Sequence, residues 1–434
     1  MAIEEIIDKT KTFPYKTLTI FLFLIKNLIN NYISFRQYKH LSKNTKIPDE
    51  LKDLGIDEKK YKETKIYSKE KLLHTIIESS FSEFLDIFVL YFNFYPFLWE
   101  ISRNFNTLFN ISKNNEYMTV IFFSIIEFLR GTAIEIPFNY YLIFIIEEKY
   151  KFNTMTIKTF ITDIIKTLLL KITFLPIIFV LLIKVIDWGG KNFYIYAEIF
   201  IIIIIFIFLW VYPNFIAPLY NKFKELEEGE IKERIFKLAQ KVNFPLKKLY
   251  EVDESTRSAH SNAYLYGLGN NKRIVLYDTL IKKLTPEEIE AVLGHEIGHW
   301  KKSHNIKTLI ITFVHVFILF YIFGFFMNDE RIFLSFGFQN KSISIGLYLY
   351  FILYIPISYV IDILQFKLIR SFEYEADQYS KELGYSDQLI SGLKKLFEKN
   401  LSDMDPDPLY SLVNNTHPTL IERVRALNEK KKSD

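Results

Sequence analysis

The stretch IFIIIIIFIFLWVYPNFIAPLY, residues 199–220, carries no charged side chain, and as a helix it is long enough to cross a hydrocarbon core of about 30 Å. Soluble proteins of ordinary composition rarely contain such a run, and this chain has two more, Thr308 to Met327 and Ser342 to Ile361. Four weaker apolar stretches precede or flank them. Thr17 to Phe35 holds only Lys26, Phe81 to Glu100 holds Glu83 and Asp86, and Tyr117 to Ile146 holds Glu127, Arg130 and Glu135. Ile164 to Ile186 is interrupted by lysines and Pro176. The expectation is an all-α polytopic membrane protein with seven transmembrane helices. Charges at membrane depth are costly, so those in the weaker spans should face a bundle interior or a wet hollow. For Glu127 and Arg130 the simpler alternative is pairing with each other at i,i+3.

Composition agrees. Of 434 residues, 50% are apolar, with 42 Phe and 28 Tyr, yet 24% are charged, as expected where apolar runs alternate with ordinary polar segments. Lys+Arg 54 against Asp+Glu 50 gives only +4, too balanced for a protein that must neutralise many phosphates, so nucleic acid is not an expected partner. The absence of Cys excludes a disulfide framework, a thiolate metal site, a catalytic thiol and lipidation of the chain's own cysteines. The first residues, with Glu4, Glu5 and Asp8, lack the basic start of a signal peptide, and no small-residue cleavage site follows the first apolar run. That run is expected to stay as an anchor.

Positive residues set the expected orientation. Eleven Lys/Arg fall between Arg36 and Lys71, whereas the next loop offers only Arg103 and Lys113. Lys149, Lys151 and Lys158 follow the third span, and only Arg331 and Lys341 lie between the last two. Segments 36–80, 147–163, 221–305 and the C-terminal tail are then cytosolic. The organisation read from this is a membrane region with five spans (1–220), a cytosolic segment (221–305), two further spans (306–370) and a cytosolic C-terminal part (371–434). Within 221–305, Glu225 to Val242 reads as an amphipathic helix. Leu249 to Val252, Ala263 to Tyr266 and Arg273 to Tyr277 read as short strands of a small β-sheet.

The segment PEEIEAVLGHEIGHWK, Pro286 to Lys301, carries the chemistry. Thr285 suits an N-cap, Pro286 the first helical position, and Glu287 and Glu288 the positive end of the helix dipole. His295 and His299 are four apart on one face and can share one Zn²⁺, with Glu296 beside them to take a proton from water. A catalytic zinc needs a third protein ligand. The metzincin pattern requires glycine at 302 and histidine at 305, where this chain has Lys302 and Asn305. His304, five residues past His299, would be rotated off the ligand face of a continuous helix and reads as a helix-end polar residue. The better candidate is RSFEYEADQYS, Arg370 to Ser380, in which Glu373 and Asp377 share a face at i,i+4 and Glu375 points elsewhere. Glu373 can ligate the metal while Asp377 accepts the free ring N–H of a ligating histidine.

Four stretches together resemble the integral-membrane, zinc-dependent CAAX prenyl proteases: SNAYLYGLGNNKRIVLYDTLI (261–281), AVLGHEIGHW (291–300), FEYEADQYSKELG (372–384) and HPTLIERVRAL (417–427). FNTMTIKTFITDIIK (152–166) and the region from Pro213 onward are similar as well, as is, weakly, the Arg36-Gln37 pair. The chain departs from the family's usual pattern at Gly294, where Ala is common, and at Ser371, where a second Arg is common. The resemblance implies a seven-helix barrel around a hollow chamber, closed on the cytosolic side by a zinc-metalloprotease domain, in the endoplasmic reticulum and inner nuclear membranes. It implies one zinc per chain on His295, His299 and Glu373, with Glu296 as general base and His417 stabilising the oxyanion. Asn262 and Ala263 resemble the edge strand that pairs with extended substrate, and Arg423, grouped with them at the substrate, resembles an arginine that supports the site. The implied substrates are prenylated CAAX proteins, which lose their last three residues; some members also cut upstream. The terminal KKSD, with Lys431 and Lys432, looks like a dilysine retrieval signal.

Three rival readings compete. A membrane zinc protease for misfolded or translocation-stalled proteins, without prenyl specificity, would have fewer spans. A channel or transporter leaves the metal constellation unexplained, and an inactive scaffold conflicts with intact His295, Glu296, His299 and Glu373.

Overall fold

The computed structural model describes residues 13–43, 46–267, 269 and 271–429; Glu4, Glu5, Asp8, Lys431 and Lys432 lie outside them. The fold is mostly helical. Long helices come first: α1 (Tyr15–Ser42), α2 (Glu58–Tyr91), α3 (Phe94–Leu108), α4 (Glu116–Tyr141), α5 (Ile157–Gly189) and α6 (Phe193–Val211). A smaller α/β layer follows, with β1 (Phe223–Glu225), α7 (Glu230–Lys241), β2 (Leu246–Val252), β3 (Ala263–Tyr266), β4 (Lys272–Tyr277) and α8 (Pro286–Lys301). Then come α9 (His304–Phe326), α10 (Ile343–Glu382), α11 (Ser386–Lys399) and α12 (Leu420–Asn428).

Among the described residues, four helical stretches are long and apolar enough to cross a membrane: α1, the continuous Ile157–Tyr220, α9 and α10. A fifth counts if α2 and α3 form one bent span. The 64-residue stretch folds back on itself, because Lys166 Nζ donates to the Leu219 carbonyl (2.7 Å) and the Thr167 and Tyr220 hydroxyls meet at 2.8 Å. The turn falls at Gly190, which takes a left-handed φ of +54°. Two expected spans differ from the sequence reading. Phe81 to Glu100 is not one straight helix: the chain turns by 75° between α2 and α3, where Asn93 sits at φ +54°. Pro176 does not interrupt α5, as neighbouring helices can supply what a proline withdraws from a membrane helix.

Two pairs of charges within the apolar region meet each other, whereas Glu135 is exposed, 3.9 Å from Lys171. Lys26 of α1 meets Glu83 of α2 at 2.5 Å, and Arg130 meets Glu127 at 2.8 Å, the simpler alternative noted above. The polar segments gather at one end. Arg36 and Gln37 bind Asp407 and Asp403 (3.0 and 2.6 Å), and Arg425 binds Glu50. Arg257 binds Asp163 at 2.9 Å.

The sheet order is β1-β2-β4-β3, with β2 and β4 parallel and the outer pairs antiparallel. β3 therefore lies at an edge, with β4 on one side and no strand on the other among the described residues. The helix read from Glu225 begins only at Glu230, because Phe223–Glu225 pairs with Val252–Tyr250 as β1. The layer's core joins Ile235 and Leu238 of α7, Leu249, Ile274 and Leu276 of the sheet, and Ile289, Leu293 and Ile297 of α8. Packing one face of α8 into this core turns its opposite face toward α10.

Candidate metal centre

Local signals fix the start of α8. The Thr285 hydroxyl accepts from the Glu288 N–H (3.4 Å) while the Glu288 carboxylate accepts from the Thr285 N–H (2.9 Å), a reciprocal cap. Two glycines let α10 come close. A Cβ on Gly298 would lie 3.1 Å from Ala376 Cα and O, and one on Gly294 would lie 3.2 Å from Ser380 Oγ. The Ser380 hydroxyl, fully buried, donates to the Ala291 carbonyl at 2.9 Å across this contact.

The close approach brings His295, His299 and Glu373 together as a group able to hold a metal ion. The two Nε2 atoms are 3.2 Å apart, His299 Nε2 is 3.3 Å from Glu373 Oε1, and His295 Nε2 is 3.5 Å from Glu373 Oε2. Tetrahedral zinc with bonds of about 2.0–2.1 Å would set its ligand atoms about 3.3–3.4 Å apart. Glu373 Oε2 is moreover buried without a hydrogen-bond partner, an arrangement a cation would satisfy. The residues fit zinc.

Around this triangle the remaining groups divide. Asp377 Oδ1 faces His295 Nδ1 at 2.8 Å, which leaves Nε2 turned to the metal position. Arg423 is buried behind the site rather than at a substrate surface. Its guanidinium forks onto Asp377 (Nε 2.8 Å, Nη2 2.6 Å) and stands 3.9 Å from Glu373, because α12 packs against α10 and buries the side chain between them. Burial works to lower the His295 pKa, but the hydrogen bond to Asp377 and the nearby Glu373 carboxylate overcome it and push the metal-free imidazole up to about 9. Burial also pushes the Glu296 carboxyl up, against the two histidines.

Glu296, His299, Glu373 and His417 line one cleft of about 370 Å³ with Tyr264, Tyr266 and Lys272. His417 is mostly exposed, with Nε2 3.5 Å from Glu373 Oε1, and Arg370 holds its carbonyl at 3.1 Å while also gripping Glu422. Asn262 and Ala263 stand at the start of β3, outside the residues that line this cleft; Asn262 is exposed and Ala263 buried. His304 departs from the sequence reading. It is buried and touches His299, because α8 ends at Lys301 and Ser303, at φ +56°, turns the chain before α9 begins. Sequence reasoning also missed Tyr264, Tyr266 and Lys272, whose only signal was their place on or beside the edge strand.

A family profile described as "CAAX prenyl protease N-terminal, five membrane helices" matches residues 37–222, and one described as "Peptidase family M48" matches residues 225–431. The chain is 39% identical to a CAAX prenyl protease 1 homolog of Dictyostelium discoideum, over 96% of this chain and 97% of that one. The chain belongs to the CAAX prenyl protease family. CAAX prenyl protease 1 of Saccharomyces cerevisiae is 34% identical, over 97% of each chain. The crystal structure of S. mikatae Ste24p superposes with a TM-score of 0.89 at 34% identity, covering 96% of this chain and 99% of that one. Like other family members the chain is a membrane metalloendopeptidase of CAAX-protein processing.

Proposed function

We propose that the chain is a zinc-dependent endopeptidase that removes the last three residues of prenylated CAAX proteins. The observation that carries this reading is the convergence of His295, His299 and Glu373, with His299, Glu373 and Glu296 lining one cleft beside a free sheet edge, in a chain with several membrane-length helices. In the full reading, seven helices enclose a hollow in the endoplasmic reticulum and inner nuclear membranes, and the polar end with the C-terminus faces the cytosol. The count reaches seven if the bent α2–α3 pair is one span, α4 another, and the folded-back Ile157–Tyr220 two. The gathering of the Lys/Arg-rich segments at one end supports the orientation.

His295, His299 and Glu373 would hold one zinc per chain, which when bound would supply Lewis-acid polarisation of the scissile carbonyl and a lowered pKa for the attacking water. The chain's own residues do the rest. The Asn262 carbonyl accepts from the Tyr277 N–H and the Asn262 Oδ1 from the Ala263 N–H, so Asn262 and Ala263 anchor the start of β3, and the free edge beyond them holds the substrate extended. Glu296, which lines the cleft beside His299 and Glu373, takes the water's proton and hands it to the leaving amine. His417 Nδ1 lies 3.0 Å from the Thr416 hydroxyl, and in the tautomer in which that hydroxyl donates, His417 offers Nε2–H to the developing oxyanion. Such a donor is worth about 3 kcal/mol. Each CH₂ of the prenyl chain gains about 0.8 kcal/mol on leaving water, so a site beside membrane-length helices favours lipidated substrates.

The test is to purify the full chain, measure zinc per chain, and follow tripeptide release from farnesylated and unprenylated CAAX peptides by wild type and E296Q. The expected result is one zinc in both proteins, release by wild type alone, and preference for the farnesylated peptide. Equal rates on both peptides would point instead to a protease for misfolded or stalled proteins, and zinc retained by wild type without cleavage would remove the reading.

A further inference from the structure

The two ligating histidines are braced differently. His295 Nδ1 faces a carboxylate directly, whereas His299 Nδ1 faces another imidazole, His304 Nδ1, at 3.0 Å. The far nitrogen of that ring, His304 Nε2, lies 3.1 Å from Glu375 Oε2. A carboxylate only accepts, so His304 carries its hydrogen on Nε2 and its Nδ1 lone pair is free to accept from His299 Nδ1–H. That tautomer leaves the His299 Nε2 lone pair pointing at His295 and Glu373. The His304 ring cannot swing away easily. It is 2% exposed and stacks on Phe372 at 4.3 Å and 7°, directly beside Glu373.

We propose that His304 and Glu375 are positioning residues for the metal, forming a carboxylate–imidazole–imidazole relay that fixes the tautomer and orientation of His299. One turn of α10 then serves the site three times: Glu373 as ligand, Asp377 behind His295, and Glu375, from its outer face, behind His299 through His304. Partners that orient a ligating histidine typically change metal affinity by about 10–100-fold. The relay rests on the zinc reading proposed above.

The test uses the zinc-loaded full chain and measures zinc release to an excess of chelator, with the thermal unfolding of the chelated protein as a control for folding. Glu375→Ala removes a half-exposed side chain and should leave the metal-free protein's unfolding unchanged while zinc is lost about tenfold faster. His304→Ala should lose zinc at least as fast. Glu375→Gln keeps an acceptor for His304 Nε2–H and should return the release rate to within threefold of wild type. The visible spectrum of the cobalt-substituted site should shift in Glu375→Ala and not in Glu375→Gln. A release rate for Glu375→Ala within threefold of wild type overturns the relay even where His304→Ala is defective, because His304 would then act by packing alone. Wild-type protein that binds no zinc removes the underlying reading as well, so the two failures are distinguishable.

Discussion

Gly298→Ala tests how the site is assembled rather than which atoms it uses. The added Cβ would lie 3.1 Å from Ala376 Cα, 3.1 Å from Ala376 O and 3.1 Å from Tyr379 Cβ. Ordinary carbon contacts sit at about 3.5–4.0 Å, so α10 must retreat by several tenths of an ångström, and a helix backbone cannot rotate out of the way. Overpacking of this kind costs about 1–3 kcal/mol, and replacing Gly by Ala inside a helix returns about 1, so global stability should fall by no more than about 2 kcal/mol. Function should fall further. Ala376 lies between Glu373 and Asp377, so any retreat moves a ligand and a ligand's brace together, and such constellations tolerate only about 0.5 Å. We expect at least about tenfold slower CAAX-peptide cleavage and faster zinc loss. Gly294→Ala is the matched control. Its Cβ meets Ser380 Oγ at 3.2 Å, Tyr385 Cδ2 at 3.3 Å and Leu383 Cδ1 at 3.6 Å, side-chain rather than backbone atoms, so the strain falls on the Ser380–Ala291 hydrogen bond and not on the backbone of the helix that carries Glu373. It should cleave within about threefold of wild type while unfolding at a slightly lower temperature. If Gly298→Ala matches Gly294→Ala in both zinc retention and cleavage, close helix approach is not what aligns the ligands.

Two further outcomes follow from the buried charges. Metal-free His295 holds its proton up to about pH 9, above its ordinary value near 6.5. The stability this lends the metal-free protein is fully present below about pH 6.5 and is lost as pH rises through about 9. Zinc must displace that proton, so binding at pH 7 should release protons and affinity should rise with pH over the same interval; calorimetry in two buffers of different ionisation enthalpy checks it. Arg423→Ala leaves the buried Asp377 with His295 as its remaining partner and should destabilise the protein by up to about 3–5 kcal/mol, and Arg423→Lys should not fully restore it because an ammonium cannot fork onto both oxygens. Thermal unfolding of both variants is the measurement.

What the sequence revealed and what it hid divide along the range of the interactions. His295, Glu296 and His299 were readable because a capped helix places i and i+4 on one face without help from the rest of the chain, and the Glu373–Asp377 pair was readable for the same reason. The strand Ala263–Tyr266 followed from patterning and its edge position from family likeness alone, whereas β1 followed from neither, since Phe223–Glu225 is a strand only by pairing with β2. The span limits were legible to the extent that lipid demands apolar runs. The bend at Asn93 and the fold-back at Gly190 depend on left-handed residues that a hydropathy window averages away. His304 is the most instructive case. Counting helical turns from His299 sends its ring off the ligand face, and that count holds only while the helix continues. Ser303 ends it, and the chain doubles back to set the imidazole against His299 from behind. A histidine just past an HExxH helix is therefore informative only once the helix's end is known. Here that end lies where the α/β layer gives way to α9, so the same turn that starts a membrane-length helix also completes the support of the metal site.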